Sequence, residues 1–142
     1  MNGEILNALE SSPRCRDGDP ETVAKYYEID FGTTFKQPGL IKRLNLRWTK
    51  EDVLRGRAIE DRLMEELYWS EGFTIIPWLR QLRTPTLIIH GDHDFVPVVC
   101  ATHIAEAIPG ARLVVLEDSG HFSYIDAPEE VHKAIDEFFA SA

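Results

Sequence analysis

The spacing of apolar and polar residues changes character near Pro85. Over residues 1–84, apolar positions recur at helical spacing between loops, whereas residues 85–142 alternate short apolar runs with helical periodicity. Buried strands that alternate with helices predict an α/β architecture with parallel strands. We therefore expect a helical segment and linker at 1–84, followed by a β-α-β-α unit at 85–142.

Two helix starts stand out in the first segment. Asp19-Pro20-Glu21 combines an N-cap side chain, a proline in the first turn and an early acid. Thr49-Lys50-Glu51-Asp52 has the spacing of a capping box, with Asp in place of the usual Glu. The second helix is predicted to continue to about Trp69 and to end at residues 70–72, with one more short turn at 78–82. Its apolar residues recur at helical spacing at Val53, Ala58, Ile59, Leu63 and Leu67.

The second segment predicts two buried strands, at 86–90 and 112–116, and two helices. One helix runs from about Val98 to Ile108, and the last begins at Ala127-Pro128 with Val131, Ala134, Ile135, Phe138 and Phe139 on one face. A parallel sheet of only two strands cannot cover itself, and its open edges invite pairing. We therefore expect either that the helical segment covers an edge of the sheet or that another chain completes it.

Composition and charge narrow the function classes. The 142 residues include 15 basic and 24 acidic side chains, a formal net charge of −9, which disfavours nucleic acid and anionic membranes as partners. No apolar run reaches the length of a membrane span, and the first residues lack the pattern of a signal peptide. Cys15 and Cys100 do not form a disulfide framework. A cytoplasmic protein without a cofactor is the expectation.

An acid and a histidine follow the two predicted strands. Asp94 lies four residues beyond His90, and His121 lies five residues beyond Leu116. Because parallel strands send both loops to the same edge of the sheet, these side chains are predicted to meet, as in the acid–base part of a Ser-His-Asp triad. Taken singly, each has a plainer explanation as a turn cap or a loop residue. Their matching positions favour the functional interpretation.

These stretches resemble a known family. Pro85-Thr-Leu-Ile-Ile-His-Gly-Asp-His-Asp-Phe-Val-Pro97 resembles the strand and acid loop of α/β-hydrolases, and Leu113-Val-Val-Leu-Glu-Asp-Ser-Gly-His-Phe-Ser-Tyr-Ile-Asp-Ala-Pro-Glu-Glu-Val131 resembles their histidine loop and last helix. The resemblance implies a partial α/β-hydrolase fold with Asp94, not Asp92, as triad acid and His121 as base. Residues 19–82 resemble the helical cap and linker of the proline-iminopeptidase-like branch, which implies peptidase- or esterase-like hydrolysis.

The nucleophile of that family has no counterpart in the sequence. No serine lies in a G-x-S-x-G turn between strand and helix, and the oxyanion loop that the family places upstream has no match either. Cys15 has no preceding strand, and Cys100 falls in a predicted helix. A histidine–aspartate pair without nucleophile and oxyanion hole predicts poor catalysis by the isolated chain.

Three interpretations remain open at this point. The chain is a hydrolase half completed by an N-terminal half in another polypeptide, or a non-catalytic module of hydrolase ancestry that dimerises or binds a partner through its sheet edge. The remote third is a metal site in His90-Gly-Asp-His-Asp94, although His103 and His132 fall singly on helices.

The helical segment also offers candidate substrate contacts. Its acids, Glu60, Glu65 and Glu66, either bind a substrate amine or form a solvated helix face, and the second interpretation is preferred. Its aromatic residues either line a pocket or pack the segment's own core, and the core is again preferred. They are Tyr26, Tyr27, Trp48, Trp69 and Trp78.

Overall fold

The computed structural model describes residues 2–68 and 72–141, with the side chains of Pro38 and Tyr68 left aside. The chain divides into two compact units, the first formed by Met1–Thr33 and Ile41–Phe73 and the second by Thr34–Leu40 and Thr74–Ala142. The predicted boundary at residue 85 between a cap-like segment and a hydrolase core stays a prediction. The predicted end of the long helix at residues 70–72, like the role of Trp69, concerns residues that are mostly outside the described range.

The first unit is helical. Its helices are α1 (Asn2–Glu10), α2 (Pro13–Arg16), α3 (Pro20–Gly32) and α4 (Lys50–Leu63), and α4 continues as a π-helical turn at Met64–Tyr68. The two predicted helix starts are confirmed: the Asp19 carboxylate accepts the Thr22 N–H, and Thr49 and Asp52 form the complete capping box. Sequence spacing alone did not predict α1 and α2.

The core of the first unit is small. Cys15, Val23 and Val53 are buried together, with Tyr27 packed against them. From α4, the Arg57 guanidinium donates hydrogen bonds to the Cys15 carbonyl and Sγ, at 2.7 and 3.1 Å. Of the apolar positions that recur along α4, only Val53 is buried, while Ile59 is 55% exposed. The first unit therefore does not supply enough apolar side chains to cover the apolar face of α4.

The second unit is the predicted α/β arrangement. Strand β1 (Leu87–Gly91) pairs in parallel with β2 (Arg112–Leu116), so that Leu87 aligns with Arg112 and Gly91 with Leu116. The strands and helices predicted in this segment are confirmed to within one residue at most ends. A 3-10 helix at Pro38–Leu44 begins in this unit, whose further helices are α5 (Ile76–Leu79), α6 (Val98–Ala107), α7 (Ser123–Asp126) and α8 (Pro128–Ala140).

The interior of the second unit lies between the sheet and its helices. Helix α6 packs against both strands, and α7 and α8 pack against β1. Ala134 of α8 is buried, whereas Phe139, which was predicted to share its face, is 72% exposed. The three apolar residues that begin β1 are only half-buried. Within the described residues the sheet has two strands, which leaves apolar strand surface uncovered.

Candidate active site

The two loops that follow β1 and β2 bring Asp94 and His121 together. The parallel pairing sends both loops to the same end of the sheet, as expected from the sequence. The Nδ1 atom of His121 lies 3.0 Å from each carboxylate oxygen of Asp94. The Asp94 side chain is only 6% exposed, while that of His121 is 36% exposed. The arrangement is thus a buried acid behind a histidine ring that reaches the surface.

The contact fixes the roles of the two ring nitrogens. A carboxylate only accepts hydrogen bonds, so Nδ1 of His121 carries a hydrogen and donates it in the hydrogen bonds to Asp94. In the neutral ring Nε2 then holds the lone pair, which is the form a general base requires.

The acid loop is held by its own backbone and by a second histidine. The Val96 N–H donates to Oδ1 of Asp94 at 2.9 Å, which orients the carboxylate. Nε2 of His90 lies 2.9 Å from the Val96 carbonyl, which can only accept, so this nitrogen donates. Its Nδ1 is 4.0 Å from the Asp94 carboxylate. His90 therefore braces the loop that carries Asp94.

The two loops are also joined directly to each other. The His93 N–H donates to the Ser119 carbonyl at 2.9 Å, and the Ser119 N–H donates to Oδ1 of Asp92 at 3.3 Å. Gly91 leaves the space that this contact needs, because a Cβ there would overlap the Ser119 and Gly120 backbone. A hydrogen bond from His93 is the largest cause that lowers the pKa of Asp92, assisted by the Ser119 N–H and opposed by desolvation.

Aromatic rings surround His121 on two sides. The Phe95 ring lies 4.5 Å from the imidazole, centroid to centroid, and Phe122 meets it edge-on at 5.1 Å. Phe122 in turn stacks on Phe35, at 5.1 Å and 12°. These contacts restrict the tilt of the imidazole. Sequence reasoning missed all three rings, although Phe95 and Phe122 each adjoin a predicted site residue.

The other candidate residues do not join this site. His103 and His132 are exposed on α6 and α8, as expected. No group of three or more His, Cys, Asp or Glu side chains within the described ranges has an arrangement that would hold a metal ion, so the geometry gives the metal interpretation no support. Cys15 and Cys100 are both free thiols.

The aromatic residues of the helical segment fall into different environments. Tyr26, Tyr27 and Trp48 line a cavity of about 490 Å³ within the first unit, next to Glu60. They also contact one another, with Tyr27 edge-on to both Tyr26 and Trp48. Desolvation, followed by the nearby Glu60 charge, raises the pKa of Tyr27. Trp78, in the second unit, is 63% exposed.

No helix within the described residues is long and apolar enough to cross a membrane. The expectation of a cytoplasmic location stays a prediction.

Comparison with known proteins identifies the family of the chain. The sequence model of the protein family described as alpha/beta hydrolase fold matches residues 46–128. A putative carbamate hydrolase, RutD, of Pseudomonas savastanoi pv. phaseolicola is 37% identical over 79 residues, which are 55% of this chain and 30% of that protein. Protein ABHD8 of Mus musculus is 33% identical over 104 residues, which are 72% of this chain and 22% of that protein. The chain thus spans less than a third of these curated relatives.

Solved structures show the same fold over nearly the whole chain. An alpha/beta fold family hydrolase from Bacillus anthracis str. Sterne superposes with a TM-score of 0.66 at 18% identity, covering 96% of this chain and 46% of that one. A hydrolase from Pseudomonas aeruginosa PA01 gives 0.61 at 21% identity, covering 97% and 49%. The chain covers about half of each of these two solved structures, and it belongs to the α/β-hydrolase fold family.

Proposed function

We propose that this chain provides the acid–base half of a hydrolase active site, with His121 as general base and Asp94 as the acid that orients it. The observation that carries the proposal is the contact of Nδ1 with both oxygens of a nearly buried carboxylate. This contact aligns the ring and stabilises its charged form after proton uptake. The family membership of the chain gives that geometry a chemical context.

The proposed chemistry needs a nucleophile from another source. The two serines closest to His121 along the chain, Ser119 and Ser123, are both buried, and the Ser123 hydroxyl donates to a backbone carbonyl. In the proposed reaction, a hydroxyl of an N-terminal half attacks the substrate carbonyl as Nε2 of His121 removes its proton, and the imidazolium then gives that proton to the leaving amine or alcohol. The acyl-enzyme so formed is hydrolysed by a water that the same nitrogen deprotonates, which releases the acid and restores the hydroxyl. The chain by itself is therefore expected to be inactive.

The sheet favours completion at the free edge of β1. The three residues that begin β1, Leu87-Ile88-Ile89, are apolar and half-buried. On β2, Arg112 forms an ion pair with Glu137 of α8 at 2.8 Å. Charged side chains at a strand edge discourage pairing, whereas an apolar edge invites it. We expect strands of the N-terminal half, in another polypeptide, to pair with β1.

The substrate class is a finer part of the proposal. The likeness of residues 19–82 to proline-iminopeptidase-like caps favours peptides or esters as substrates. The cavity beside Tyr27 and Glu60 in the first unit is the candidate place for part of such a substrate. The names of the matched relatives, a carbamate hydrolase among them, describe those proteins. Release of arylamine from aminoacyl arylamides, compared with hydrolysis of short-chain aryl esters, would separate the two substrate classes in a completed enzyme.

A second candidate is a non-catalytic module that associates with another copy or a partner. The observation that favours it is the apolar surface left in water, including Ile59 and Leu63 on α4, which are 55% and 43% exposed. This candidate predicts a dimer or larger species by light scattering at micromolar concentration. A stable monomer over that range would contradict it and would leave the completed-enzyme proposal in place.

The decisive experiment is intact-mass analysis after treatment with a fluorophosphonate. We expect no adduct on the purified chain, because such probes label activated serines. The chain would then be mixed with N-terminal halves of related hydrolases and tested for labelling and for aryl ester hydrolysis. Activity regained on mixing should disappear in His121→Ala and persist in His132→Ala, which changes an exposed helix residue. A stoichiometric adduct on the isolated chain would overturn the proposal that the nucleophile comes from elsewhere.

A further inference from the structure

We infer that Asp126 is a positioning residue for His121, an inference that rests on the proposed function of the histidine. Asp126 is the last residue of α7, five residues after His121. Its Oδ2 atom accepts the N–H of Gly120 at 2.9 Å. The side chain thus reaches back across the loop to the residue immediately before the proposed base.

The same peptide segment is held from its other end. The Ser123 hydroxyl, at the start of α7, donates to the Gly120 carbonyl at 3.0 Å, and Ser123 is buried. Both polar backbone groups of Gly120 are therefore bound by side chains of one short helix. Gly120 itself cannot be replaced without movement, because a Cβ would overlap the Thr34 carbonyl and lie 3.2 Å from Oδ2 of Asp126.

This clamp acts on the histidine through the backbone. The peptide bond between Gly120 and His121 is planar, so fixing the Gly120 carbonyl also fixes the amide nitrogen and Cα of His121. The φ angle and the side-chain torsions of His121 then remain, and the Asp94 contact at Nδ1 restricts those. A base must be held within about 0.5 Å of its working position, which requires both kinds of support.

A further feature argues that Asp126 does more than fill space. Its second oxygen, Oδ1, is buried and has no hydrogen-bond partner within the described residues. A carboxylate oxygen in that environment lowers stability, since buried polar groups usually find partners. Asp126 therefore buries Oδ1 at a cost in stability while Oδ2 binds the Gly120 N–H. A residue kept at such a cost is better explained by its effect on the histidine loop than by packing.

The test compares three variants of the isolated chain by NMR. Asp126→Ala removes the acceptor, Asp126→Asn can keep an acceptor oxygen on Gly120, and Asp136→Asn makes the same exchange at an exposed site on α8. Two signals are followed: hydrogen exchange of the Gly120 amide, and the long-range proton–nitrogen pattern of the His121 ring, which identifies its tautomer. Circular dichroism establishes that each variant remains folded.

We expect Asp126→Ala to speed exchange at Gly120 at least tenfold and to convert His121 from a single Nδ1–H tautomer to a mixture. Asp126→Asn should retain most of both signals, and Asp136→Asn should change neither. If Asp126→Ala does not fold, the near-isosteric Asp126→Leu, which also lacks the acceptor, takes its place, with the same expected loss of a single tautomer. A folded Asp126→Ala, or this replacement, with an unchanged His121 tautomer would overturn the inference.

These signals need neither nucleophile nor substrate, so they are independent of the proposed activity. A completed enzyme that keeps its activity in His121→Ala would refute the catalytic proposal and leave the NMR result as it stands. Conversely, an unchanged tautomer in Asp126→Ala would refute the positioning role alone.

Discussion

The two units of this chain use their side chains in different ways. In the second unit, polar side chains bind loop backbone: Asp94 binds Val96, Asp92 binds Ser119, and Asp126 binds Gly120. In the first unit, the comparable polar contacts mostly cap helices, and the buried core is a cluster around Val23 and Val53. Loops whose backbone is hydrogen-bonded in this way support a rigid site. Capped helices over a small core instead leave much of their apolar surface exposed.

The largest expected effect comes from Gly120→Ala in the second unit. The added methyl group would overlap the Thr34 carbonyl, and overpacking against backbone is expected to cost about 3 kcal/mol of unfolding free energy. Urea denaturation followed by NMR signals of this unit measures the change. Gly39→Ala, where no atom lies within 4 Å of the new Cβ, is the matched control. Equal stabilities would contradict the close approach that the histidine loop requires.

The small core of the first unit is tested by Val53→Ala. Val53 is 8% exposed and packs with Cys15 and Val23, so truncation should cost about 2 kcal/mol. Ile59→Ala on the same helix removes a residue that is 55% exposed and should cost less than about 0.5 kcal/mol within this unit. Hydrogen exchange of α3 and α4 reports both. A larger cost for Ile59→Ala would mean that this face is covered in solution.

Helix capping in the first unit gives a smaller effect. Thr49→Ala removes the side chain that accepts the Asp52 N–H, with an expected cost of about 1 kcal/mol. Helicity of α4 by circular dichroism and amide exchange in its first turn measure the loss. Thr33→Ala, at the C-terminal end of α3, is the control and should change α4 little. An unaffected first turn in Thr49→Ala would contradict the importance of the box.

The acid response of the second unit gives the smallest effect. The hydrogen bond from His93, then the Ser119 N–H, lowers the pKa of Asp92. A carboxyl whose folded pKa lies below its unfolded value contributes stability above the unfolded pKa, and this is lost as pH falls through the folded pKa. Asp92→Asn should therefore flatten the decline in unfolding free energy below about pH 4. Denaturant titrations from pH 2.5 to 7 test this; an equally steep decline in the variant would contradict it.

The sequence by itself determined much of the second unit. Apolar runs bounded by glycine and proline located β1, β2, α6 and α8, and parallel order then required Asp94 and His121 to emerge at one edge. Local chemistry also located the caps at Asp19 and Thr49, because an N-cap bond joins residues only three positions apart. The family followed from the same two loops.

Tertiary structure decided what depends on contacts between distant segments. It placed Phe35 against Phe122 and Asp92 on Ser119, pairs that no periodicity relates. It also decided which oxygen of the Asp126 carboxylate binds the histidine loop: Oδ2 accepts the Gly120 N–H, whereas Oδ1 has no partner within the described residues. Sequence spacing describes neighbours along one element, while a site depends on the angle and distance between elements, and packing fixes those.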